Sequence, residues 1–129
     1  MWPSVNVTEH GRIEPMPEKV SKVGLYSEVE DKISEIEAEM KRIGYWSLEL
    51  LPDEAYEFQQ AFAMDTMAFS QWLQFILIPR VRSIIQMKGD FPSESMVGAQ
   101  AVREFDGDAN ASGLVTLLSE FDDLFRRSR

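Results

Sequence analysis

The sequence predicts an all-α protein: a small four-helix bundle with a proline-kinked central helix and a flexible N-terminal tail. Two observations carry that reading. Apolar residues recur every three or four positions in the first long segment (Leu25, Val29, Ile33, Ile36, Met40, Ile43) and in the last (Leu114, Leu117, Leu118, Phe121, Leu124, Phe125). Such spacing lines one face of a helix. Between them, residues 66–88 sort into a wet side and an apolar side when wound at about 100° per residue. At 129 residues the chain reads as one domain, 21–129, behind a tail at 1–20. A chain of this length buries roughly two-thirds of its unfolded surface, enough for a core without covalent staples.

The tail holds Pro3, Pro15, Pro17 and Gly11 and no sustained apolar period, which marks flexible chain. His10 lies in it with nothing nearby to hold an imidazole in place, and we expect it to be exposed and idle. The first helix spans Val23 to Ile43. Its remaining positions are charged, with Glu28–Lys32 and Glu37–Lys41 as favourable pairs one turn apart and Asp31–Glu35 and Glu35–Glu39 as weakly repelling ones. Lys41 and Arg42 suit the negative end of the helix dipole, and Gly44 is a plausible stop. The carboxylate face lacks the Glu-x-x-His pattern of di-iron bundles and reads as a solvated surface.

Residues 45–65 form a connector. Pro52, followed by Asp53 and Glu54, could start a short helix through Phe58. The segment is rich in aromatic residues and is expected to pack across the bundle as an ordered loop. Asp65 or Thr66 offers an N-cap for the central helix, 66–88. On its wheel Gln71, Gln74, Arg82 and Gln86 lie on the wet side; Phe69, Trp72, Leu73, Ile76, Ile84 and Met87 face the core. Two residues break the rule. Ile78 falls among the polar positions, and Arg80 falls at the centre of the apolar face. Pro79, between them, has no N–H for the Phe75 carbonyl and its ring crowds that turn, so a kink is expected there. Gly89 and Phe91-Pro92 close the helix. A short helix within 93–105, capped by Ser93 or Ser95, a turn at 106–110 and a last helix from Ser112 to Arg126 complete the chain.

Composition excludes several classes of chemistry. The chain has 22 acidic and 13 basic side chains, a formal charge of −9, no cysteine and one histidine. Disulfides, thiolate metal sites and cysteine nucleophiles are therefore absent. No histidine in the folded part could serve a serine as base, and there is no phosphate-cradling glycine loop. We expect no catalytic residue, no metal and no cofactor, and no enzyme activity. The acidic balance opposes nucleic-acid binding, and the C-terminal Arg126, Arg127 and Arg129 are too few to reverse it. Met1-Trp2-Pro3-Ser4-Val5 lacks a basic region followed by an apolar stretch, so no secretory signal is expected, and the longest apolar run, 75–79, is far below the ~20 residues of a membrane span. The expected location is the cytoplasm.

Two groups are candidates for binding. Arg80, facing apolar side chains, must reach a carboxylate (Asp65, Glu104 or Asp122), a released carbonyl, or an anionic ligand at the floor of a pocket. The group Phe62, Met64, Met67, Phe69, Trp72 and Phe75 reads as core, with a methionine-lined groove for a partner helix as the alternative.

The run Phe62-Ala63-Met64-Asp65-Thr66-Met67, then Gln71-Trp72-Leu73-Gln74, then Ile78-Pro79-Arg80 resembles the YqcC-like family, small bacterial proteins of unassigned activity. The likeness extends over residues 22–127, including Tyr45-Trp46 and Leu124-Phe125. It implies a small closed four-helix bundle. Members of that family are sometimes labelled tRNA pseudouridine synthases, whose catalytic domain is a larger α/β fold with an essential aspartate in a basic cleft. This chain has neither the size nor the positive surface. The resemblance groups Asp65, Thr66, Trp72, Gln74, Pro79 and Arg80. With Met67 and Ile78 added, the candidate ligand or partner residues are Asp65, Thr66, Met67, Trp72, Gln74, Ile78 and Arg80. The expected function is a non-catalytic interaction module with a protein partner, a basic RNA-modifying enzyme being the one the resemblance suggests. The alternative is a small-molecule binder holding an anion through Arg80. Monomer and dimer both remain open, because a narrow apolar stripe such as that of the first helix could seal a dimer.

Overall fold

The computed structural model describes residues 20–127. The expected tail, His10 and Arg129 therefore lie outside the described residues, Val20 aside. Within them the protein is all-α, a small bundle of four helices with no strand. Helix α1 is Val20–Arg42. Helix α2 runs over 69–87 as Phe69–Trp72, a π-helical turn Leu73–Leu77, and Ile78–Met87. Helix α3 is Val97–Glu104 and α4 is Ser112–Arg127. Helix α4 packs against α1 and α3, and α1 also packs on α2.

The first helix follows its stripe. Val29, Ile33, Ile36 and Met40 are fully buried against Leu114, Leu118, Phe121 and Phe125 of α4. Its C-terminus closes on Gly44, at φ +81°. There Tyr45 N–H donates to the Met40 carbonyl at 2.8 Å and Gly44 N–H to Lys41 at 3.2 Å, the paired bonds of a glycine-terminated helix. The Glu37–Lys41 pair forms at 2.8 Å. Lys32 turns to Glu35 and crosses to Glu120 of α4, at 3.0 and 2.8 Å. At the opposite end of α1, the Tyr26 hydroxyl donates to the Gly89 carbonyl at 2.5 Å, joining α1 to the end of α2.

Several boundaries differ from expectation for physical reasons. The short helix after Pro52 is one 3₁₀ turn, Asp53–Tyr56. Helix α2 begins at Phe69, three residues late, because Asp65 and Thr66 bond elsewhere. The Gln71 side chain reaches back to the Ala68 N–H at 2.8 Å and satisfies one end group. Helix α2 stops on Lys88, which takes the left-handed conformation at φ 55°, while Gly89 N–H bonds the Ile84 carbonyl at 2.8 Å.

Neither Ser93 nor Ser95 caps α3. That role falls to Asp122, a buried carboxylate on α4, which accepts from Val97 N–H at 3.1 Å and Gly98 N–H at 2.7 Å. Ser95 donates its hydroxyl to the same carboxylate at 2.5 Å. Burial pushes the Asp122 carboxyl above its ordinary value, against the pull of those donors. One side chain thus ties the start of α3 to the middle of α4, where Gly98 lets the two backbones approach.

Candidate functional site

The centre of the candidate motif is the π-helical turn before Pro79. A proline cannot donate to the carbonyl four residues back. The chain answers by widening the turn: Ile78 N–H bonds the Leu73 carbonyl, five residues back. Such a turn holds one extra residue, so every later side chain lags by about 100° on the wheel. That shift accounts for both anomalies. Ile78 moves from the polar side into the core and is buried. Arg80 leaves the centre of the apolar face, where buried Val81 replaces it, and is half-buried at the flank. Met87, placed in the core by an unbroken wheel, is 49% exposed.

The same lag brings Arg80 beneath Trp72. Eight residues along an ordinary helix the two would stand about 80° apart; with the wide turn they stand about 20° apart. Together with Phe58, Phe62 and the backbone around Gln59 to Ala61 they line a recess of about 320 Å³. Phe62 lies edge-on to Trp72 at 5.0 Å and to Phe69 at 5.8 Å, and Phe69 stacks on Trp72 at 5.8 Å. To place that ring, Phe62 and Ala63 both adopt positive φ, 58° and 51°, a conformation costly for residues with a Cβ. Trp72, Phe69 and Met67 are buried, as a core reading requires, whereas Met64 of the same group is exposed.

The remaining candidates hold the connector in place. Asp65 accepts from Gln59 N–H at 2.9 Å and Gln60 N–H at 3.4 Å, and these bonds keep its carboxyl below the ordinary value. Thr66 donates its hydroxyl to the Ala55 carbonyl at 2.6 Å. Gln74, expected on the wet side, is buried. Its carboxamide accepts from Ser47 N–H at 2.8 Å and donates to the Ser47 carbonyl at 2.9 Å. Both backbone groups of one loop residue are thereby held by one side chain.

The consequence of that clamp is the feature sequence reasoning missed. The connector is ordered, yet it does not pack entirely inward. Leu48 and Leu50 are 98% and 88% exposed, flanked by half-buried Trp46 and Leu51. The available signal was the alternation Leu48-Glu49-Leu50 just before Pro52. Residues 43–79 contain five acids (Glu49, Asp53, Glu54, Glu57, Asp65) and no lysine or arginine. The apolar pair therefore stands in a wholly acidic stretch.

A second recess, about 470 Å³, opens beside the loop between Tyr45, Trp46, Gln71, Phe105 and Asp108. The Tyr45 hydroxyl donates to Asp108, and that bond together with burial raises the phenol above its ordinary value. Among the described residues no group of three or more potential ligands could hold a metal ion, and no helix is long and apolar enough to cross a membrane. Arg126 pairs with Asp123 at 2.6 Å.

Comparison with known proteins agrees with the sequence motif. A protein of Haemophilus influenzae, described as uncharacterized, is 22% identical over 82 residues, covering 61% of this chain and 77% of the relative. No solved structure matches. A family model described as tRNA pseudouridine synthase C matches residues 28–124, a span containing the wide turn, both recesses and the leucine loop, and the chain belongs to that family, DUF446.

Proposed function

We propose that the protein is a non-catalytic interaction module that docks a basic partner protein on its connector. The observation that carries this reading is the pair Leu48 and Leu50, held out in water on a loop whose backbone Gln74 clamps. Burying two leucine side chains is worth about 3–6 kcal/mol, and a loop already ordered loses little entropy on binding. The connector sequence, with five acids and no lysine or arginine between residues 43 and 79, favours a positively charged partner and speeds encounter, even with Lys41 of α1 over the Trp46 ring. It disfavours a second copy of the same face, which would bring like charges together. The family description, tRNA pseudouridine synthase C, supports an RNA-modifying enzyme of that class as the first partner to try.

The test is calorimetric titration of a purified tRNA pseudouridine synthase from the same organism, alongside a pseudouridine assay of the protein alone on tRNA. The expected results are saturable binding that Leu48→Ser with Leu50→Ser abolishes, and no product from the protein alone. Product formed by the protein alone, or binding indifferent to the double substitution, would overturn the proposal.

The Arg80 recess supports a second reading, a binder of small anions that combine with an aromatic wall. Thermal-shift screening of anionic metabolites on wild type and Arg80→Met checks it. A true ligand at ~100 times its dissociation constant adds about 2.7 kcal/mol to wild type alone.

A further inference from the structure

We infer that the recess beside the loop is a receptor for a lysine or arginine side chain of the docked partner, an inference that rests on the interaction reading above. Its walls carry three aromatic residues, Tyr45, Trp46 and Phe105, one carboxylate, Asp108, and no basic residue. Tyr45 and Phe105 face each other with ring centroids 5.8 Å apart. The Asp108 carboxylate receives the Tyr45 hydroxyl on one oxygen and Asn110 N–H, at 3.1 Å, on the other. Each carboxylate oxygen can accept more than one donor, so both retain capacity toward the recess. Trp46 already attracts a cation: Lys41 Nζ lies 5.1 Å from its ring centroid, within the range of a cation–π contact.

The chemistry selects the guest. An anion would meet the Asp108 carboxylate. A purely apolar group would cover a carboxylate without pairing it. A long side chain with an aliphatic stem and a cationic head satisfies both the rings and the acid. Ser47 lines the recess, and Leu50 follows three residues later, at most about 10 Å along extended chain. The partner segment therefore carries a cation and an apolar residue within about 10 Å of each other, no more than two turns of one helix face.

The probe is a fluorescein-labelled helical peptide with leucine on one face and arginine two turns away. Its control has glutamate for arginine. Affinity is read by anisotropy, and the recess by the Trp46 indole N–H resonance. The expected results are binding of the arginine peptide with a shift of that resonance, and at least tenfold weaker binding of the glutamate peptide. Asp108→Asn should weaken the arginine peptide about fivefold or more. Asp31→Asn, which removes the same charge from α1, should leave it unchanged. Gln71→Glu keeps the acceptor that holds Ala68 N–H, adds a carboxylate to the recess wall, and should tighten binding several-fold. This gain cannot arise from misfolding.

If Leu48→Ser with Leu50→Ser abolishes binding while Asp108→Asn and Gln71→Glu have no effect, the recess assignment is wrong and the docking loop stands. If neither peptide binds, or the wild type is a dimer that the leucine substitutions dissociate, both readings are overturned.

Discussion

Replacing Gly98 by alanine tests the packing of α3 on α4, because two effects of opposite sign compete there. Gly98 is helical and buried, so intrinsic propensity alone favours alanine by about 1 kcal/mol. An added Cβ, however, would lie 2.7 Å from Ser119 Cα, 2.8 Å from Ser119 N and 2.9 Å from the Leu118 carbonyl oxygen. All three are backbone atoms of α4 and cannot rotate away, so the helices must separate by several tenths of an ångström. Overpacking of this kind costs typically 1–3 kcal/mol. Separation also stretches the bonds from Val97 and Gly98 N–H to Asp122, each worth about 1.5–3 kcal/mol because the acceptor is charged. The sum predicts a net loss of about 1–3 kcal/mol. At roughly 4 °C per kcal/mol for a domain near 100 residues, the midpoint should fall by about 4–12 °C in a thermal melt. A midpoint equal to or above wild type would refute the close approach of α3 and α4.

Three further outcomes are expected. Asp122→Asn leaves fewer acceptors for Ser95 and the α3 N–H groups and should cost about 1–3 kcal/mol by urea unfolding. Because the folded carboxyl titrates above its unfolded value, the unfolded chain loses its proton first, and the Asp122 contribution to stability declines as pH rises from about 4; the gap between wild type and Asp122→Asn should narrow over that range. Lys88→Gly relieves a left-handed lysine at φ 55° and should raise stability by about 1 kcal/mol, read as a higher melting temperature. Gln74→Leu removes both bonds to Ser47 and should cost about 1–3 kcal/mol, with amide exchange at Ser47 accelerating more than exchange in α1.

The fold was legible where burial follows a regular period. The stripes of α1 and α4 named buried core residues, with Leu25, Ile43 and Leu117 half-buried at the edge of the core, because each helix is uninterrupted and amphipathic. Helix α2 resisted because the wheel assumes a constant step, and the π-helical turn inserts one residue. Pro79 announced a disturbance, expected as a kink; it takes the form of a widened turn, which a wheel of constant step cannot show. The caps were illegible for another reason. Asp122 serves α3 from 24 residues away along the chain, and no local window contains both partners. Of the positions that the family resemblance groups, Asp65, Thr66 and Gln74 brace the connector, while the exposed leucines that they help to present lay in plain alternation just upstream.

The widened turn also sets which length changes the protein can absorb. Loss of one residue within 73–77 would leave both halves of α2 facing as they do now, at the cost, about 3 kcal/mol, of setting Pro79 in ordinary winding. Loss of one residue from 80–83 would swing everything after it by about 100° and turn Ile84 toward water. Tolerance of deletion along this rod should therefore be lopsided, concentrated in the five residues ahead of the proline, and natural variants shortened by one residue should have lost it there.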